Sequence, residues 1–204
     1  MTVISNGTNL INNGALDSAI PVGKMTLIKT LTASNSANLS FVHGASGVVL
    51  DGTYDTYVFK FINCHPVTDN HYFLVNFRDG GSAYDALKAT TFFRARHNEG
   101  DGGDALEYVG GDDLTNTSDF QRIGNGVGND NDESICGELT LISPSSTTFV
   151  KHFMATTSMS EATPAHNQTF VAGYCNTTAA IDGVQFKFGS GNFDGVIKLY
   201  GIGG

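Results

Sequence analysis

The final stretch of the chain, Gly183 to Gly204, constrains the fold more than any other. Val184, Phe186 and Phe188 alternate with Gln185 and Lys187, the two-residue period of a strand that buries one face and wets the other. Gly189-Ser190-Gly191-Asn192 then reads as a turn, and Val196 to Tyr200 as a second strand. A β-hairpin is therefore expected here. With the chain ending so soon after Tyr200, this hairpin is expected to close the fold rather than to trail as a tail.

The same period recurs upstream. Met25 to Leu31 and Leu39 to Val42 are short alternating runs, and Val48 to Leu50 leads into the turn dipeptide Asp51-Gly52. Tyr57, Phe59 and Phe61 oppose Val58, Lys60 and Ile62; Tyr72, Leu74 and Asn76 oppose Phe73, Val75 and Phe77. These two strands are expected to pair as a hairpin or to lie as near neighbours. Ala83 to Leu87 fits one helical turn, Thr90 to His97 returns to strand, and residues 98 to 133 read as a long Gly-, Asp- and Asn-rich loop. Loops of that length carry function or form interfaces. Ile135 to Ile142, Thr147 to Thr156, Thr169 to Tyr174 and Ile181 to Phe188 complete a set of about nine to eleven strands, the pattern of a sandwich.

No internal repeat of fixed period is present, which argues against a propeller or a repetitive fibre shaft. The expected fold is all-β: a jelly-roll-like antiparallel β-sandwich over residues 24–204, preceded by an irregular N-terminal arm over 1–23. The arm is rich in Asn and Gly with scattered aliphatics. Leu10, Ile11, Leu16 and Ile20 are expected to dock it on a neighbouring subunit.

Composition bounds the partners. At 204 residues the chain is long enough for one self-sufficient core. Fourteen Phe and seven Tyr, against only 15% charged residues, favour sheets over long helices. Eleven Lys and Arg against twenty Asp and Glu give a net charge of −9, which repels a phosphate backbone and argues against nucleic acid as a ligand. No apolar run approaches the roughly 20 residues of a membrane span. The start, Met1 to Gly7, has neither a basic nor an apolar leader region, so synthesis in a cytosol without export or membrane insertion is expected. Cys64, Cys136 and Cys175 are odd in number and far apart, which suits buried free thiols better than a disulfide framework or a metal knuckle.

Reactive constellations are sparse. The acidic loops around Asp101 and Asp104, Asp112 and Asp113, and Asp130 to Glu133 offer oxygen ligands of the type calcium takes. Asp130 and Asp132 are the calcium candidates, although they lack the Gly and distal Glu of an EF-hand. Asx-rich loops otherwise cap turns and stay solvated. The six histidines form no His-x-His or His-Glu-x-x-His pair. Gly44-Ala45-Ser46-Gly47 is one residue short of a nucleophile elbow. Neither a catalytic set nor a cofactor site is expected. Tyr72, Tyr84, Tyr108 and Tyr174 could offer stacking faces to a sugar, with Tyr84 and Tyr108 the candidate loop contacts.

Phe186-Lys187-Phe188-Gly189-Ser190-Gly191-Asn192, followed by Ile197-Lys198-Leu199-Tyr200-Gly201-Ile202, resembles a closing segment of structural proteins of tailed bacteriophages, especially those of marine cyanobacterial and related hosts. Thr56 to Asn63 with His65-Pro66, Thr91 to Asn98, Gly126 to Asp132 and Ser145 to Phe153 fit the same resemblance, which spans from about Met25 to the end of the chain. It implies a virion location and a tail-fibre-like or other structural role, without an enzymatic motif. A homotrimer, held to other virion proteins by the N-terminal arm and contacting the host surface and its glycans, is the leading expectation. A capsid decoration protein and a carbohydrate-binding module are the alternatives.

Overall fold

In a computed structural model of the chain, residues 3–5, 8–12, 15–16 and 25–203 are described. Among them regular structure is entirely β, as the abundance of Phe, Tyr, Val, Ile and Thr requires. Strands β1 (Val3–Ser5), β2 (Thr8–Asn12) and β3 (Ala15–Leu16) form a small antiparallel sheet in sequence order. The segment expected to be irregular thus contains paired strands. Of the docking candidates, Leu10 and Ile11 fall on β2 and Leu16 on β3, while Ile20 lies outside the described residues.

The remaining strands build a β-sandwich. One sheet contains β4 (Met25–Ser36), β6 (Thr56–Pro66), β8 (Lys88–Asn98), β9 (Ala105–Tyr108), β10 (Thr115–Thr117), β12 (Ile135–Ile142), β13 (Lys151–Ser160), β14 (Ala165–Cys175) and β16 (Phe193–Ile202). Its order is β10-β8-β14-β13-β12-β6-β16-β4, with β9 also paired to β8. The smaller sheet, in the order β11-β7-β15-β5, contains β5 (Leu39–Val42), β7 (His71–Arg78), β11 (Gln121–Val127) and β15 (Gly183–Phe188). All pairings are antiparallel.

Aromatic side chains from the inner faces meet between the sheets. Phe186 sits centrally, its ring 5.3 Å from Phe59, 5.1 Å from Phe61, 6.1 Å from Phe73 and 6.3 Å from Phe41. Phe77 and Phe153 extend the layer at 4.8 Å. Towards β8 and β11 the interior turns polar. The hydroxyls of Thr157 and Thr169, 2.6 Å apart, converge on the Ile123 carbonyl at 2.7 and 2.8 Å, and Lys88, Gln121, Lys151 and Asn167 are buried nearby on the facing strands.

Several expectations change. The closing segment is not a hairpin: β15 pairs with β5 and β7 in the small sheet, whereas β16 pairs with β4 and β6 in the large one. Residues 189–192 therefore carry the chain across the sandwich, and Phe188 faces Phe193 at 5.6 Å. Likewise β6 and β7 stand in opposite sheets, in contact through Phe61 and Phe73 at 5.3 Å. Two strands with one apolar face each look alike in sequence whether they lie side by side or face to face.

Residues 98–133 are not one loop. They contain β9, β10 and β11, and β11 tolerates its Gly and Asn content because its pairing to β7 is broken by two register shifts. Ala83 to Leu87 forms no helical turn; Ala86 N–H donates to the Phe77 carbonyl at 3.1 Å, holding the segment beside β7. Val48 and Leu50 are buried outside any strand, and β13 begins at Lys151 rather than Thr147. Gly195 marks a bulge in β16: at φ +139° its missing Cβ would stand 2.8 Å from Cys64 Cα. All three cysteines are free, Cys64 and Cys175 buried and Cys136 only half-buried. Burial pushes the Cys64 and Cys175 thiols up to about 12.

Candidate functional site

Period-two alternation gives the large sheet an outer face as well as a core face. On β13, Lys151, Phe153, Ala155, Thr157 and Met159 point inward, while His152, Met154, Thr156 and Ser158 are exposed. Cross-strand register sets their neighbours: Met154 pairs with Ala172 and Thr140, His152 with Tyr174, and Ala172 with Thr91. One row further along, Thr156 pairs with Phe170, Phe170 with Phe93, and Phe93 with Tyr108.

Of these, Thr91, His152, Met154, Ala172 and Tyr174, together with Ile142, line a groove of about 560 Å³ floored by β8, β13 and β14. A smaller hollow of about 190 Å³ continues it through Phe93 and Phe170, sharing Met154 and Ala172. The Phe93 and Phe170 rings stack at 4.9 Å and 11°, and His152 meets the Tyr174 edge at 5.9 Å. Phe93 remains 41% exposed, Met154 49%, Tyr108 57% and Leu106 79%. Adjacent exposed apolar side chains in one patch are the mark of an interaction surface.

The charges on this face are few. Glu138 pairs with Lys60 at 2.9 Å, and Lys198 sits beside Lys60 in register. Along the outward positions of β8, β12, β13 and β14 Glu138 is the one carboxylate, in a chain with twenty acidic residues. The other described acids lie on loops, except Glu107 on β9 and Asp194 on β16.

Where acids are buried, they are already committed. Glu161 accepts from Arg96 Nε at 2.7 Å and from Asn167 Nδ2 at 2.8 Å. Asp112 is held by Arg122 and Asn125, and Arg122 also lies over the Tyr72 ring, 3.8 Å from its centre. Such charge-assisted contacts clamp the rim between the sheets.

The residues singled out in the sequence fall in different places. Tyr174 lies in the groove and Tyr108 at its margin, its hydroxyl donating to Asp113, which raises its pKa. Tyr72 is covered by Arg122, and Tyr84 is half-buried beside Gly183. Asp130 and Asp132 are exposed in a turn closed by Asp130 N–H to Glu133 Oε2 at 2.8 Å. Among the described residues they join no group of three His, Cys, Asp or Glu side chains able to hold a metal. Phe93, Phe170, Met154, His152 and Ile142 escaped the sequence reading. The Phe92-Phe93 doublet was the available signal, because adjacent strand residues point to opposite faces and one ring had to be outside.

Compared with known proteins, the chain matches no family model, no curated protein and no solved structure.

Proposed function

We propose that this protein is a structural subunit of a bacteriophage particle, a tail-associated and tail-fibre-like component that contributes to host-surface contact. The observation that carries the reading is the apolar, nearly carboxylate-free outer face of the large sheet on an otherwise acidic chain. A subunit with net charge −9 needs such a face to pack against copies of itself or other particle proteins without like-charge repulsion. The resemblance of residues 25–204 to phage structural proteins supports the virion setting. A jelly-roll-like winding and a homotrimer belong to the same reading, with the N-terminal segment as the attachment to neighbouring proteins.

The groove suits protein better than sugar. Glycan sites surround a stacking ring with hydrogen-bonding groups, whereas this lining is mostly apolar and two of the four candidate tyrosines lie elsewhere.

Gold-labelled antibody against the exposed loop at residues 99–104, applied to intact particles, tests the location. Label on the tail together with blocked adsorption is the expected result. Label over the shell would replace this reading with capsid decoration, and absence from purified particles would end both. Light scattering of the purified protein should report about three times 21.6 kDa; a stable monomer would refute an intrinsic trimer.

A further inference from the structure

The polar part of the interior contains a nucleophile placed against an amide. Lys88, the first residue of β8 in the large sheet, is fully buried, and so is Asn76 on β7 in the small sheet. Lys88 Nζ donates to Asn76 Oδ1 at 2.6 Å and to the Ala86 carbonyl at 2.6 Å. The carboxamide is fixed on its other sides. Phe77 N–H donates to the same Oδ1 at 2.8 Å, while Nδ2 donates to the Tyr84 carbonyl at 2.6 Å and the Ser118 carbonyl at 2.9 Å. A lysine and an asparagine held this way, between two sheets and away from water, keep the amine within hydrogen-bond reach of the carboxamide it would attack, with little freedom left to lose.

We propose that Lys88 and Asn76 condense to an intramolecular isopeptide bond that ties the large sheet to the small one. The Lys88 amine attacks Cγ of Asn76, and a new Nζ–Cγ bond forms as the carbonyl π pair moves to Oδ1. Phe77 N–H already points at the oxygen where this charge develops. A proton passes from Nζ to Nδ2, the Cγ–Nδ2 bond breaks with its electron pair on nitrogen, and ammonia leaves. Amine plus carboxamide gives amide plus ammonia, so no oxidant, reductant or co-substrate is required. The Tyr84 and Ser118 carbonyls hold the departing nitrogen as it gains its proton.

Burial also prepares the amine. Desolvation lowers the Lys88 pKa to about 8, against the opposing pull of Cys175 beside it on β14 and of Asp119, Asp79 and Asp85 around it. A neutral, nucleophilic fraction is therefore present in weakly alkaline solution. Lys151 is the internal contrast. It is equally buried, but its Nζ donates to the Thr177 backbone carbonyl at 2.9 Å and faces no carboxamide, so it stays free.

Intact-mass spectrometry of the full chain decides the matter, both freshly purified and after incubation at about pH 9, above the lowered pKa. The expected result is a mass lower than that of the sequence by one ammonia, with a branched proteolytic peptide joining Lys88 to Asn76. Asn76→Ala and Lys88→Met should each show the full sequence mass. Full mass in the folded wild-type protein after that incubation would overturn the proposal. So would an ammonia loss that maps to any other residue pair. The wild-type measurement alone is decisive should either variant fail to fold, and it is independent of where in a particle the protein resides.

Discussion

Phe186 touches four other rings across the two sheets and is fully buried. Replacing it with Ala leaves a void bounded by rigid rings, so Phe186→Ala should cost about 3–5 kcal/mol in urea unfolding. Gly137 is confined for a different reason. At φ +151° in β12, with its missing Cβ 2.3 Å from the Thr156 carbonyl oxygen and 2.7 Å from Thr157 Cα, it leaves no room for a side chain beside β13. Gly137→Ala should therefore destabilise by about 2–3 kcal/mol, measured the same way, because the obstacle is backbone. Lys88 adds a pH signature while its amine is free. Below about pH 8 both folded and unfolded chains hold the proton and the penalty for burying it is constant. Between about 8 and the ordinary 10.5 only the unfolded chain holds it, so stability rises with pH by about 3 kcal/mol in total. Lys88→Met, or acylation of the amine, should flatten that rise in urea titrations across the window.

Strands were readable one at a time because their core-facing apolar side chains recur every second residue: Tyr57, Phe59 and Phe61 on β6, and Phe73, Val75 and Phe77 on β7, are all buried as their spacing requires, although Val58 and Asn76 between them are buried as well. Sheet membership was not readable. The alternation of β15 and β16 is the same for a hairpin as for two strands facing across a core, and the choice is made by partners far away, β5 and β7 for one, β4 and β6 for the other. β11 was hidden because Gly124, Asn125 and Gly126 carry no strand signal; its pairing to β7 and the buried Ile123 and Val127 hold it in place. The groove was half visible. Tyr108 and Tyr174 stood out as aromatics, but the exposure of Phe93 and Met154 depends on the phase of β8 and β13. Met154 is the test of that face. Met154→Lys puts a charge in the floor of the groove without touching the core, so it should shift light scattering towards 21.6 kDa while leaving the far-ultraviolet circular dichroism unchanged.

The two sheets are joined by apolar contact, by the Thr157 and Thr169 hydroxyls donating to the Ile123 carbonyl, and by the Lys88–Asn76 contact, while the Arg78–Asp182 ion pair at 2.7 Å ties β7 to the start of β15 within the small sheet. The large sheet has a different vulnerability, which lies in its order. β4 has β16 as its partner in that sheet, Thr30 opposite Lys198, and β5 at the small sheet's edge has β15. A ribosome has made nearly the whole domain before either early strand meets its complement. Until then β4 waits with a long open backbone edge carrying Met25 and Leu27. The sandwich is thus closed at β4 and β5 only once β15 and β16 have been made, and a nascent chain stalled before β16 would be a ready substrate for chaperones or for its neighbours on the same messenger.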